Sequence, residues 1–217
     1  MSLRTKLEGA ARRARFPGSE RYWERRYAAG GNSGAGSYGE TASWKAGVVN
    51  GWVRDLGVRS IIDWGCGDGN QLSLADYPKY LGIDRSPTAI KRCIEQFADQ
   101  AQMSFMTFRP GELHDPAGWF KADLALSMEV IFHLTEDEVY QDYMSRLFGS
   151  AERYVVICSN DEVGTEKVPT ERHRRFSDWI ATHARGWSLK ERVDPPSNLD
   201  LMSQMYLYEA RDQVNPS

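Results

Sequence analysis

The chain reads as an α/β domain built on a mostly parallel sheet that finishes in an antiparallel pair. Three observations predict this. From Ser60 onward short apolar runs alternate with amphipathic segments of helical period. A glycine-rich turn, Gly65-x-Gly67-x-Gly69, follows the first of these runs. Two strand-like segments, WSLKERVD and LMSQMYLYEA, flank a turn containing Pro195-Pro196 near the end, and proline confines such a connection to the sheet's periphery.

Residues 1 to 18 form a basic arm rich in Ala and Arg, ended by Pro17-Gly18. A helix then starts with Ser19 as N-cap and Glu20 in its first turn, with Tyr22, Trp23 and Tyr27 at helical spacing. The stretch Gly30 to Glu40 holds five glycines and no large aliphatic side chain, which predicts a loop. A second amphipathic helix over 41–56 is closed by Gly57. Strands are predicted at 60–64, 80–84, 103–108, 122–127 and 153–159. Helices are predicted at 70–76, at 87–99 with Ser86 as cap and Pro87 in first position, and at 135–149 with Thr135 as cap and Glu138 three residues on. A further helix is predicted over 172–185. The organisation is residues 1–57 as arm, helices and glycine-rich loop, then 58–217 as one compact unit. Phe105, Phe108 and Trp119 read as core or ring-stacking positions, Trp187 as buried in a strand, and His114 has no assignable role.

With 217 residues, 41% hydrophobic and 26% charged, fibrous, collagen-like and wholly disordered classes are excluded. The formal charge is −3, but it is unevenly spread. Residues 1 to 27 carry eight basic and three acidic side chains, a local +5, so residues 28 to 217 carry −8 and offer no field for a polyanion. Cys66, Cys93 and Cys158 are odd in number and widely spaced, as in a protein of the reducing cytoplasm. The longest apolar runs, such as Val155 to Cys158, fall far short of the roughly 20 residues that span a bilayer. A soluble, cytoplasmic protein with no membrane partner is the expectation.

The chemistry concentrates in SIIDWGCGDGNQL, residues 60 to 72. A strand ending in Asp63 runs into alternating glycines, which let the backbone turn sharply and approach a ligand closely. A dinucleotide fingerprint demands Gly or Ala at the sixth position from Gly65, where this chain has Asn70, so NAD is disfavoured. A second strand, YLGID, ends in Asp84, whose carboxylate suits the two hydroxyls of a ribose.

On these residues, 58 to 159 resembles the class I S-adenosylmethionine-dependent methyltransferases, and with the Gly/Ser-rich loop ahead of it, which looks like an N-terminal lid, it resembles bacterial small-molecule and sugar O-methyltransferases. The resemblance implies a Rossmann-like seven-stranded sheet, mostly parallel with an antiparallel last strand, helices on both faces and an N-terminal helical extension. It implies S-adenosylmethionine as cofactor, with Asp63, Gly65, Gly67 and Gly69 at its aminoacyl part, Asp84 at the ribose, Arg85 at the adenine, and Ser127 and Met128 on the methionine side. Asp68, Asn70 and Gln71 extend that loop as weaker candidates. Tyr38 is a further cofactor-binding candidate, supplying a donor in the lid with Asn32 and Ser37.

The segment SMEVIFHLTEDE, residues 127 to 138, follows the fourth strand. In the family this region lines the substrate and often carries the base, which makes His133 the candidate general base and Glu129 its neighbour in the site. A histidine titrates near neutrality and suits removal of a hydroxyl proton. Glu129, His133 and the distant His173 are also the candidate set for a divalent metal. Small-RNA 2′-O-methyltransferases, which this set resembles, place a further glutamate directly before the first histidine. Here Phe132 stands there, so the site is read without a metal. In ERHRRFSDWI, residues 171 to 180, His173, Arg174 and Arg175 beside aromatic residues read either as a solvated face or as substrate contacts.

The expected function is methyl transfer to a hydroxyl of a small molecule or sugar by a monomer or homodimer, nucleic acid not being favoured. The alternatives are an RNA 2′-O-methyltransferase drawing on the +5 arm, or a non-catalytic cofactor-binding partner protein.

Overall fold

A computed structural model describes residues 16–109, 115–164, 168–199 and 201–211. Most of the basic arm and His114 lie outside the described residues. The seven strands are β1 (Ile61–Trp64), β2 (Tyr80–Asp84), β3 (Met103–Thr107), β4 (Ala122–Met128), β5 (Ala151–Ser159), β6 (Trp187–Val193) and β7 (Gln204–Ala210). The helices are α1 (Ser19–Ala28), α2 (Gly39–Asp55), α3 (Pro87–Gln96), α4 (Asp137–Gly149) and α5 (Phe176–His183). The strands form one sheet in the order β3-β2-β1-β4-β5-β7-β6. Strand β7 alone runs against its neighbours, pairing antiparallel with both β5 and β6. This is the Rossmann-like methyltransferase fold expected from the sequence.

Alternation along the strands sends side chains to two helix layers. Ile62, Trp64, Ala125, Val155 and Ile157 pack with Tyr140, Met144 and Leu147 of α4 and Phe176, Trp179 and Ile180 of α5. Ile61, Leu124, Leu126, Val156 and Cys158 pack on the other face with Val49, Trp52 and Val53 of α2 and Ile90 and Cys93 of α3. The residues of α2, ahead of position 57, thus belong to the same core as the sheet. The sheet's order reverses between β1 and β4, and ligands of open α/β sheets bind beyond the strand C-termini at such a point.

The start of α3 follows its sequence signals. Ser86 Oγ accepts from Ala89 N at 3.0 Å with Pro87 in the first turn. Other local expectations are corrected. The helix predicted at 70–76 is only a 3-10 turn, Leu72–Leu74. Ser73 Oγ donates to Asn70 O at 2.6 Å, and Asn50 Oδ1 takes the Asp76 N–H at 3.0 Å, so local side-chain bonds replace a second helical turn. Gly18 rather than Ser19 holds the cap position of α1, and α4 starts at Asp137 behind Glu136 rather than at Thr135. Trp119 is 85% exposed, not core. The Asp115 carboxylate accepts from the N–H groups of Trp119 and Phe120 and fixes a turn there. Trp187, on the edge strand, is only half-buried, edge-on to Phe148. Among the described residues, no helix is long and apolar enough to cross a membrane.

Candidate functional site

Beyond β1 the chain turns through Gly65 and Gly67, at φ of 88° and 62°. These are left-handed conformations that cost a residue with a Cβ about 1–2 kcal/mol. Space imposes the same choice. A Cβ on Gly65 would stand 2.6 Å from Val130 Cγ2, and one on Gly67 would run into Ser33 Oγ. The Gly65 and Cys66 N–H groups both donate to Ile83 O, at 2.7 and 3.1 Å, which fixes the turn on the tip of β2. Gly69 has a different task. It packs against Phe97 and Cys93 and does not line the cavity.

Two carboxylates stand at the strand tips. Asp63 is buried; its Oδ2 accepts from Tyr80 Oη at 2.8 Å, while its Oδ1 has no partner. Burial, reinforced by the charge of Asp84 and opposed by Tyr80 and Lys45, pushes the Asp63 carboxyl up to about 7. Asp84 Oδ2 accepts from Gly67 N at 3.0 Å and its Oδ1 from Ser86 N at 2.8 Å. Burial raises the Asp84 carboxyl too, against these N–H donors and Arg85. Arg85 lines the cavity and pairs with Glu20 at 3.8 Å. Met128 also lines it, whereas Ser127 is buried behind, accepting from Tyr143 Oη at 2.8 Å.

The roof is α1 and the glycine-rich loop. Glu136, just ahead of α4, accepts from Ser19 N and Oγ at 3.0 and 2.7 Å. Glu24 accepts from Ser86 Oγ at 2.5 Å and Thr88 Oγ1 at 2.6 Å, at the start of α3. Helix α1 therefore spans from one side of the site to the other. The loop is latched at Asp68, which accepts from Ser33 N at 2.9 Å, Ser33 Oγ at 2.7 Å and Tyr38 Oη at 2.9 Å. Asn70 Nδ2 donates to Ser37 O at 2.6 Å, and Gln71 Nε2 to Ala42 O at 3.0 Å. Tyr38 thus belongs to the latch and not to the cavity lining; burial and the Asp68 carboxylate push its hydroxyl up to about 12. Beneath this roof lies a cavity of about 360 Å³ that Asp63, Gly65, Gly67, Asp84, Trp23 and His133 share.

His133 ends a 3-10 turn, Ile131–His133. Its Nδ1 lies 3.1 Å from Thr170 O. A carbonyl only accepts, so Nδ1 carries the proton and Nε2 of the neutral ring is bare. Burial lowers the imidazole's affinity for a second proton, against the Thr170 bond and the charges of Glu171 and Glu129. Trp23 meets the ring edge-on at 4.9 Å.

Glu129 has a left-handed backbone, φ 59°. Its Oε2 accepts from the fully buried Lys45 Nζ at 2.6 Å and its Oε1 from Ser203 Oγ at 3.3 Å, while Gly36 crosses so closely that any Cβ there would strike the carboxylate. His173 Nδ1 lies 2.8 Å from Asn160 Oδ1, and Phe132 stacks on the His173 ring. Among the described residues no three metal-ligating side chains converge. With the Glu129 charge already met by Lys45 and His173 held away, these residues do not fit a divalent ion. Neither His173, Arg174 nor Arg175 lines the cavity. Arg174 donates to Leu134 O and Thr135 O, at 2.7 and 3.1 Å, and Arg175 is exposed at the cap of α5.

Trp23, Ser33 and Lys45 join the site without being among the residues expected there from the sequence. The helical spacing of Tyr22, Trp23 and Tyr27 is the one signal that marks α1 as a packed face, and nothing local distinguishes Lys45 from a solvated lysine.

S-adenosylmethionine fits the residues present. The unpartnered Asp63 Oδ1 awaits a donor such as the cofactor's ammonium. The turn at Gly65 and Gly67 leaves room that side chains would fill, and each Asp84 oxygen retains a lone pair for a ribose hydroxyl. Residues 62–154 match the family described as a methyltransferase domain. No curated protein matches the chain. Among solved structures, the methyltransferase domain of bacterial CtHen1 superposes with a TM-score of 0.62 at 22% identity, over 78% of this chain and 98% of that one. The N-methyltransferase NodS from Bradyrhizobium japonicum WM9, in complex with S-adenosylhomocysteine, gives 0.64 at 13% identity, covering 89% and 98%. Magnesium protoporphyrin IX methyltransferase from Synechocystis PCC 6803, with bound S-adenosylhomocysteine, gives 0.60 at 18%, covering 87% and 92%.

Proposed function

We propose that this chain is an S-adenosylmethionine-dependent methyltransferase that methylates a hydroxyl of a small molecule or sugar, with His133 as general base. The observation that carries the reading is the shared cavity. Its lining combines the glycine turn, the orphaned Asp63 oxygen and Asp84 with a histidine whose Nδ1 is held by a carbonyl, so that Nε2 carries no proton.

When bound, S-adenosylmethionine supplies a methyl group already activated by its positively charged sulfur. Asp63 would hold the ammonium, Asp84 the ribose hydroxyls, and Arg85, Met128 and the Gly65–Gly67 backbone the remainder. The chain's own contribution is then alignment and one proton transfer. His133 takes the acceptor's hydroxyl proton at Nε2, while Thr170 O holds Nδ1–H and keeps the ring in that tautomer. Trp23 and Phe132 present ring faces and edges around His133, as a hydroxylated ring would require, and α1 excludes water from above. Glu129 acts as an anchor for the roof through Lys45 and Gly36 rather than as a base.

The test is transfer of labelled methyl from S-adenosylmethionine to a panel of hydroxylated small molecules, sugars and a short oligoribonucleotide, with His133→Gln alongside. Methylation of a small hydroxyl compound, lowered at least about 100-fold by the substitution, supports the reading. Methylation of the oligoribonucleotide alone replaces the acceptor class, and undiminished turnover in the variant removes His133 from the mechanism.

A further inference from the structure

The basic cluster of residues 172 to 174 is turned away from the cavity, yet it is not a solvated face. The Arg174 side chain is largely buried, its guanidinium 4.5 Å over the Tyr140 ring. It donates to Leu134 O at 2.7 Å, to Thr135 O at 3.1 Å and to Asp137 Oδ1 at 3.1 Å. Arg172 runs alongside, its N–H on Phe132 O at 2.7 Å and its Nη1 on Thr135 O at 3.1 Å. These bonds stitch the segment 170–174 to the segment 132–137. The same seam carries the contact of His133 Nδ1 with Thr170 O. Leu134, whose carbonyl Arg174 holds, is the next residue after His133 and closes its 3-10 turn.

We infer that Arg174, assisted by Arg172, is a positioning residue for His133: its planar fork clamps the Leu134 and Thr135 carbonyls so that the Thr170 carbonyl stays on Nδ1 and Nε2 stays bare toward the cavity. A guanidinium suits this, since three acceptors in different directions need several donors in one rigid plane. Charge alone would not do it. The adjacent Asp137 takes the residual positive charge at the start of α4, pairing with Arg172 at 2.9 Å and Arg174 at 3.1 Å. Groups that orient a functional imidazole through its other nitrogen fix its tautomer and basicity. The inference rests on the reading of His133 as the base.

The test uses the full chain labelled with ¹⁵N-histidine, saturated with S-adenosylhomocysteine, and follows the imidazole nitrogens by NMR. His133→Gln assigns its signals among the four histidines. The wild type is expected to show one neutral tautomer, with the proton on Nδ1. In Arg174→Ala that signature is lost to tautomer averaging, S-adenosylhomocysteine affinity stays within about twofold, and added guanidinium restores the signature. Arg174→Lys, one ammonium for three acceptors, gives mixed tautomers and serves if the alanine variant does not fold. A wild-type proton on Nε2, an unmixed Nδ1–H signature in either folded variant, or a parallel fall in S-adenosylhomocysteine affinity overturns the inference. Methyl transfer that survives His133→Gln defeats the base reading instead and leaves the tautomer result standing.

Discussion

Lys45 Nζ lies 2.6 Å from Glu129 Oε2, and the lysine side chain is fully buried. The pair joins α2 to the residue that follows β4, and the glycine-rich loop packs against the same carboxylate at Gly36. A buried pair adds little net stability against an apolar replacement, but removing one partner strands a charge at a cost of about 3–5 kcal/mol. Lys45→Met is therefore expected to lower stability by that amount in urea denaturation, and Lys45→Met with Glu129→Leu by clearly less. A single variant within about 1 kcal/mol of wild type would contradict the reading of Lys45 as the partner that the buried Glu129 carboxylate depends on.

Because Lys45 already neutralises Glu129, turnover is expected to be indifferent to chelation. Dialysis against EDTA should leave methyl transfer within about twofold, and recovery that depends on added Mg²⁺ or Mn²⁺ would contradict the assignment of Lys45 as the resident cation.

Asp63 makes binding pH-dependent. Burial, as the largest cause, holds its carboxyl at about 7 in the fold, whereas an unfolded aspartate titrates near 3.9, roughly. The ligand-free fold therefore takes up a proton there. The stability Asp63 contributes is present below the unfolded value and is lost as pH rises through about 7. A ligand ammonium needs the ionised form, so S-adenosylhomocysteine affinity should rise about tenfold per pH unit up to about 7 and then level off. Calorimetry across pH 5.5 to 8.5 reads this, and Asp63→Asn should flatten the profile. A flat wild-type profile would show that Asp63 does not meet the ammonium.

The Asp68 latch predicts a lid. Hydrogen exchange at residues 34–39 is expected to slow when S-adenosylhomocysteine binds, and Ser33→Ala, which removes the hydroxyl shared by Asp68 and Tyr27, should weaken that protection. Exchange unchanged by the ligand in the wild type would defeat the lid.

Gly67→Ala combines left-handed strain with a steric conflict at Ser33 Oγ. It should cost at least about 1–2 kcal/mol of stability and reduce S-adenosylhomocysteine affinity at least tenfold, because the turn forms the cavity floor. Gly69→Ala should spare affinity more, since Gly69 packs on α3. Equal losses in the two variants would contradict that division.

The parts of the fold written in local patterns were legible in advance. Short apolar runs such as Ile61–Trp64 and Val155–Cys158, alternating with amphipathic segments, mark the buried parallel strands, and Ser86-Pro87 marks the start of α3. What failed were places where a side-chain bond competes with the backbone pattern. Ser73 and Asn70 cut a predicted helix to one 3-10 turn, and Asp115 fixes the turn that carries Trp119. The glycine turn, Asp63 and Asp84 are readable because each sits at the end of a short apolar run, a local pattern that also carries the family resemblance. Trp23 beside His133, Ser33 on Asp68 and Lys45 on Glu129 join residues 35 to 110 positions apart, and no local pattern records such pairs. The Arg172 to Arg175 cluster was ambiguous for the same reason, its acceptors being carbonyls some 40 residues upstream.

The most direct measurement is calorimetric titration of S-adenosylhomocysteine into the wild type, Asp84→Ala and His133→Gln. The account predicts one site on the wild type, at least a tenfold loss in Asp84→Ala, about 1.4 kcal/mol or more, and an affinity within about twofold in His133→Gln. Absence of binding to the folded wild type, or an Asp84→Ala variant that binds as tightly, would contradict it.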